Sequence, residues 1–146
     1  MSVVKHKIID EIGLIEISNP PVNAISAAVR IGLLETIEKL SSNEKVKSIV
    51  ITAPERTFLA GADIKEFGKK VDAPILGKIC DKIESLNKIV VASLHGTPLG
   101  GGLEVAMSAH YRIAAPNTKV GLPEVLLGIL PGAGGTQRLP RLCGVD

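Results

Sequence analysis

Lys88-Ile-Val-Val-Ala-Ser-Leu-His-Gly-Thr-Pro-Leu-Gly-Gly-Gly-Leu-Glu-Val-Ala-Met-Ser-Ala109 is the stretch whose reading decides the fold. The apolar run over 88–94 has the composition of a strand, and the Ala/Leu/Met-rich residues after the glycines have that of a helix. The segment therefore reads as a strand, a glycine turn and a helix start. Gly100, Gly101 and Gly102 lack a β-carbon, so a ligand can approach their backbone N–H groups closely. Those groups also stand at the positive end of the following helix. Glu104 falls in the first helical turn, which holds a carboxylate within a few residues of the backbone donors.

A glycine turn can equally do no more than let a helix pack on its strand. Two nucleotide readings fit poorly. Leu103-Glu104-Val105 lacks the last small residue of a dinucleotide fingerprint, and no Lys-Ser/Thr pair follows for a phosphate loop.

On the N-terminal side, Val4 to Ile9 and Gly13 to Ile17 read as a hairpin that Asn19-Pro20-Pro21-Val22-Asn23 brings to an end. Ser26 is placed to cap a helix running to about Leu40, with Ala27, Ile31, Leu34 and Ile37 as its apolar stripe. Val46 to Thr52 reads as a strand whose Ile49-Val50-Ile51 core predicts burial on both faces, as in a parallel sheet. Ala60-Gly61-Ala62-Asp63-Ile64 follows as a second small-residue turn, with Asp63 as the cap of a helix starting near Ile64. Ile75, Ile79, Ile83 and Leu86 predict one face of a helix that ends before Lys88.

On the C-terminal side, Tyr111 to Ala115 reads as a strand. Beyond it, Glu124 is a lone acid in the apolar stretch Val120 to Gly135. A carboxylate so placed must find a partner or remain poised for chemistry. Three readings stay open: a turn cap, an ion pair with Arg112, Arg138 or Arg141, or a functional acid. Thr136 to Leu142 can begin a helix, and Pro140 argues against a long one.

The chain of 146 residues is long enough for one domain with a real core, 45% apolar but with only Phe58, Phe67 and Tyr111 as aromatics. Seventeen basic and 15 acidic residues leave a net charge of +2, and the lysines are scattered, so nucleic acid is not an expected partner. No apolar run has the length of a membrane span, so no membrane partner is expected. Cys80 and Cys143 read as free structural thiols of a reducing compartment, the cytoplasm. His6, His95 and His110 have no acidic or cysteine neighbour at metal-ligand spacing, and no metal site is expected.

Ala60-Gly61-Ala62-Asp63-Ile64, then His95-Gly96 with Leu99-Gly100-Gly101-Gly102-Leu103-Glu104, then Leu122-Pro123-Glu124 with Pro131-Gly132-Ala133-Gly134-Gly135-Thr136-Gln137-Arg138-Leu139 together resemble the enoyl-CoA hydratase/isomerase (crotonase) family. They stand in the family's order and at its approximate spacing. Asn19 to Ala24 and Arg138 to Leu142 look most like the hydratase portion of multifunctional fatty-acid oxidation enzymes. The resemblance implies an α/β crotonase-like spiral of repeated ββα units over residues 1–146, one core domain lacking the C-terminal helical part that closes the acyl pocket and builds the family's trimer. A homo-oligomer is thereby expected only weakly. It also implies an acyl-CoA thioester as substrate, with coenzyme A part of that substrate and no separate cofactor; NAD use is not carried over.

Residue by residue, the resemblance assigns Glu104 and Glu124 as the catalytic acids and the N–H groups of Ala60 and Gly101 as the oxyanion hole. Ala60, Gly61, Ala62, Asp63 and Ile64 are assigned to the coenzyme A site. The expected activity is hydration of a 2-enoyl-CoA in fatty-acid oxidation. The alternatives are an enoyl-CoA isomerase and a non-catalytic acyl-CoA-binding fragment.

Overall fold

The computed structural model describes residues 2–145. Its sheet contains β1 (Val4–Ile9), β2 (Ile12–Ile17), β3 (Ser48–Thr52), β4 (Ile89–Leu94) and β5 (Tyr111–Ala114), adjacent in chain order. Its helices are α1 (Ala27–Ser42), α2 (Leu76–Glu84), α3 (Gly101–Ser108) and α4 (Gly135–Cys143), with short 3-10 segments at Ile64–Glu66 and Glu124–Leu127. The two-residue link Asp10-Glu11 makes β1 and β2 an antiparallel hairpin, with Asp10 at φ 53° in the turn. Every later strand pairs in parallel with its predecessor, because a helix carries the chain back before each new strand.

The core lies between the sheet and its helices. Ile15, Ile17, Ile49, Ile51, Val90 and Ala92 face Leu33, Ile37, Ile79, Ile83 and Val105. A core with one aromatic, Phe58, relies on these branched aliphatics for its packing.

Ser26 caps α1, its hydroxyl accepting from the Val29 N–H at 3.4 Å. The inward face of that helix differs from the expected stripe: Val29, Leu33, Ile37 and Leu40 are buried, whereas Ile31 is 38% exposed. Gly32 accounts for the rotation, since a β-carbon there would lie 3.1 Å from the Val4 side chain and the helix uses this gap to approach β1. In β3 the expectation of two covered faces also needs correcting. Ile49 and Ile51 are buried against the helices while Val50 is only half-buried on the far side. Finally, α4 runs through Pro140, which forfeits one bond in a short, largely exposed helix that Gly144 N–H closes onto Pro140 O at 2.9 Å. No helix among the described residues is long and apolar enough to cross a membrane.

Candidate active site

The glycine turn lies at the carboxyl end of β4, where open parallel sheets place their ligands. Gly100 takes φ 51°, and its N–H donates to Gly121 O at 2.9 Å. Leu99 and Gly121 form a parallel bridge. That pairing explains why Glu124, only three residues later, arrives beside the turn: a β-carbon on Gly100 would lie 2.9 Å from Glu124 Oε1. The third part of the site is the 60–64 segment, which an isolated parallel bridge between Ile25 and Ala62 fixes against the entry to α1.

The two acids converge but are held differently. Glu104, in the first turn of the wholly buried α3, is 3% exposed. Its Oε1 accepts from the N–H groups of Ala133 and Gly135, both at 2.8 Å. Glu124 opens a 3-10 turn and is 8% exposed. Its Oε2 is buried with no hydrogen-bond partner among the described residues. The ion-pair reading of Glu124 is thereby corrected. Arg138 pairs with Asp81 and Glu84, Arg112 donates to Ala109 O at 2.6 Å, and Arg141 donates to Gln137 O. Among the described residues the Glu124 side chain caps no turn either: the 3-10 segment starts after Pro123 without a side-chain cap.

Two adjoining cavities meet here. One, of about 170 Å³, is lined by Ala60, Gly61, Ala62, Gly100, Gly101 and Glu124 among others. The other, of about 250 Å³, has both Glu104 and Glu124 in its wall together with Ala62, Gly101 and Ala133. Ile64, Phe67, Leu127 and Ile129 make the rim of the first cavity apolar. Larger clefts of about 430 Å³ and 330 Å³ flank the 60–66 segment, and Asp63 lines both. The side chain of Asp63 accepts from Lys65 N–H at 3.0 Å, as expected of a cap.

The backbone donors need one correction. Ala60 N–H is not free: it donates to Asn23 O at 3.1 Å. Ala62 is the residue of this segment whose N–H faces the turn. A β-carbon on Gly101 would lie 3.7 Å from Ala62 N, and among the described residues that N–H has no acceptor. Gly101 is the first residue of α3, so its N–H has no partner within the helix.

Asn23 is the residue the sequence reading passed over. It is fully buried at φ 58°, its Nδ2 donates to Phe58 O at 2.6 Å, to Ile17 O and to Thr57 O, and its Oδ1 accepts from Asn19 N–H. One side chain thus ties the end of β2 to the segment that carries Ala62. Its signal was present in the sequence, since asparagine after Pro-Pro-Val tolerates a left-handed backbone and offers both donors and an acceptor. The histidines have structural partners: His110 Nδ1 accepts from Val90 N–H, and His95 Nε2 meets Glu55 O.

With this geometry in place, comparison with known proteins is decisive on family. A sequence model of the enoyl-CoA hydratase/isomerase family matches residues 7–146. A relative named peroxisomal bifunctional enzyme, from Danio rerio, is 51% identical over 92% of this chain, which spans only 19% of that protein. A probable enoyl-CoA hydratase of Bacillus subtilis is 42% identical over 99% of this chain and 58% of its own length. The crystal structure of an "Enoyl-CoA Hydrates Subunit I" from Geobacillus kaustophilus superposes with a TM-score of 0.88 at 37% identity, over 98% of this chain and 58% of that one. The chain belongs to the enoyl-CoA hydratase/isomerase family and has the α/β fold of its crotonase members. The expected cytoplasmic setting is overturned by the peroxisomal name of the Danio rerio relative. Neither the absence of an apolar span nor the presence of free thiols distinguishes the cytosol from such an organelle.

Proposed function

We propose that this member of the enoyl-CoA hydratase/isomerase family adds water across the 2,3-double bond of a 2-enoyl-CoA thioester, giving a 3-hydroxyacyl-CoA in fatty-acid oxidation. The observation that carries the reading is the shared cavity: two buried acids, Glu104 and Glu124, line it together with Gly101 and Ala62. Addition of water at the β-carbon places negative charge on the thioester oxygen. Two fixed N–H donors directed at that oxygen stabilise it by about 3 kcal/mol each, if they act as oxyanion-hole donors do elsewhere. Gly101 stands at a helix N-terminus, which favours the same charge.

Atoms balance with the two acids alone. One acid enters as the carboxylate and takes a proton from water as the water oxygen bonds to the β-carbon; the other enters as the carboxylic acid and gives its proton to the α-carbon, and return of a proton from the first to the second restores the pair. We assign the water chiefly to Glu104 and the α-carbon chiefly to Glu124, whose Oε2 has no partner among the described residues to compete with substrate. The flanking clefts along Asn19 to Ser26 and Ala60 to Lys65 have the room and polarity to take the coenzyme A moiety. An isomerase moves one proton between carbons and needs no activated water, so a second carboxylate favours hydration.

The test follows the loss of conjugated enoyl-thioester absorbance with crotonyl-CoA. Glu104→Gln and Glu124→Gln should each lower kcat by about 10³, within the range for removal of a general acid or base. Near-full hydration by either variant would overturn the role given to that acid, and isomerisation of a 3-enoyl-CoA by a native chain that leaves crotonyl-CoA unhydrated would move the reading to the isomerase.

A further inference from the structure

Glu104 is oriented by a loop, and that loop is held by a cation which plays no part in the chemistry proposed above. Arg138 lies on α4 with its side chain only 11% exposed, paired with two exposed acids on α2. Its Nη2 donates to Asp81 Oδ1 at 2.9 Å and to Glu84 Oε2 at 2.8 Å, and its Nε reaches Glu84 Oε1 at 3.4 Å. The remaining arm, Nη1, donates to Ala133 O at 2.8 Å. Ala133 is the residue whose own N–H donates to Glu104 Oε1. We propose that Arg138 is a positioning residue for the site: anchored on Asp81 and Glu84, it fixes the 133–135 loop so that two of its amides aim the Glu104 carboxylate.

Three observations carry this. The guanidinium is a planar fork, and here its separate arms meet separate acceptors on α2 and the loop, a geometry that a lysine ammonium cannot reproduce. The loop is shaped around it. Gly134 sits at φ 94°, and a β-carbon there would fall 2.3 Å from Arg138 Nη1. The next residue is shaped around the acid, since a β-carbon on Gly135 would lie 2.9 Å from Glu104 Oε1. The loop is thus threaded between the guanidinium and the carboxylate, with glycine at both points of contact. Asp81 and Glu84 keep Arg138 charged more firmly than usual, the hydrogen bond that Arg138 donates to Glu84 being the leading cause.

The inference rests on the proposed role of Glu104, and its test separates the two. Amide hydrogen exchange in the chain is measured at Ala133 and Gly135, with Ile49 and Ile51 as core references. Arg138→Lys should speed exchange at both loop amides about tenfold or more and leave the core references unchanged, because only the loop's local opening is affected. In the hydration assay the same variant should lower kcat about tenfold with KM little altered, the pattern of a misaimed group. If Arg138→Lys opens the core as well, the surface pair Asp81→Asn with Glu84→Gln decides, and it should speed exchange at the same two amides. Loop amides unchanged within twofold in that pair, or in a folded Arg138→Lys, overturn the proposal. Full activity in Glu104→Gln would instead overturn the catalytic reading of Glu104, and the exchange result would still judge the clamp.

Discussion

The two acids lie on opposite kinds of wall. Glu104 belongs to a helix every residue of which is buried, and its carboxylate is a terminus for two backbone N–H groups. Glu124 belongs to a 3-10 turn that contains Leu126 at 83% exposure and is followed by Leu130 at 74%, and its Oε2 has no hydrogen-bond partner among the described residues. One group is fixed by the fold; the other is desolvated and left uncommitted. A water-activating group gains from a fixed direction. A proton donor to carbon gains from an oxygen without a competing protein partner. The asymmetry therefore accords with the division of labour proposed for the pair.

The largest break in that comparison should come from removing the charge altogether. Glu104→Leu strands the N–H groups of Ala133 and Gly135, and two buried orphans at about 1–3 kcal/mol each should cost about 3 kcal/mol of stability. Glu124→Leu removes an oxygen that had no partner to lose, so its cost should lie within about 1 kcal/mol of zero, or stabilise. Urea denaturation of the two variants measures the difference. Equal losses would mean that Glu124 has a structural partner in solution after all.

A smaller effect sharpens the comparison from the turn itself. Gly100→Ala places a β-carbon 2.9 Å from Glu124 Oε1 at a backbone φ of 51°. Strain at such a φ should cost about 1–2 kcal/mol. Displacing the acid should lower kcat about tenfold while Glu104 stays in place on its two amides. A variant with native kcat and lowered stability would show that the 124 wall yields to accommodate the methyl group.

How far the residues foretold this site depended on the kind of question. The strand, glycine turn and helix at 88–109 were legible because period and composition change together there, and the Ser26 cap because its chemistry is local. The nearness of Glu104 to the turn was likewise local. The choice between the amides of Ala60 and Ala62 was not. In a regular extended segment residues two apart point their N–H groups the same way, so the difference comes from Gly61 at φ 101° between them and from two contacts far away in sequence, Ala60 N–H on Asn23 O and Ala62 bridged to Ile25. The partners of Glu104 were hidden for the same reason, being loop amides 29 and 31 residues further on. The buried face of α1 differs from the expected one because two overlapping apolar stripes fit one helix, and tertiary contacts such as the close approach of Gly32 to Val4 accompany the one adopted.

The smallest predicted effect probes how dry the wall formed by α2 and the Glu104-bearing α3 is. Cys80 on α2 is fully buried, and burial pushes its thiol from the ordinary 9.0 up to about 12. Nearby Arg138 opposes the shift only in part. The folded chain thus holds the proton more tightly than the unfolded chain does. The associated stability is complete below pH 9 and declines above it by about 1.4 kcal/mol per pH unit, until the folded thiol itself ionises near pH 12. Cys80→Ala should remove that slope between pH 9 and 10 in denaturation curves. Cys143 is exposed and should react with iodoacetamide at pH 8 in the native chain, while Cys80 reacts only after denaturant is added. Alkylation of Cys80 at the rate of Cys143 in native buffer would show that the α2 and α3 wall opens to water, and the contrast drawn between the two sides of the site would fail with it.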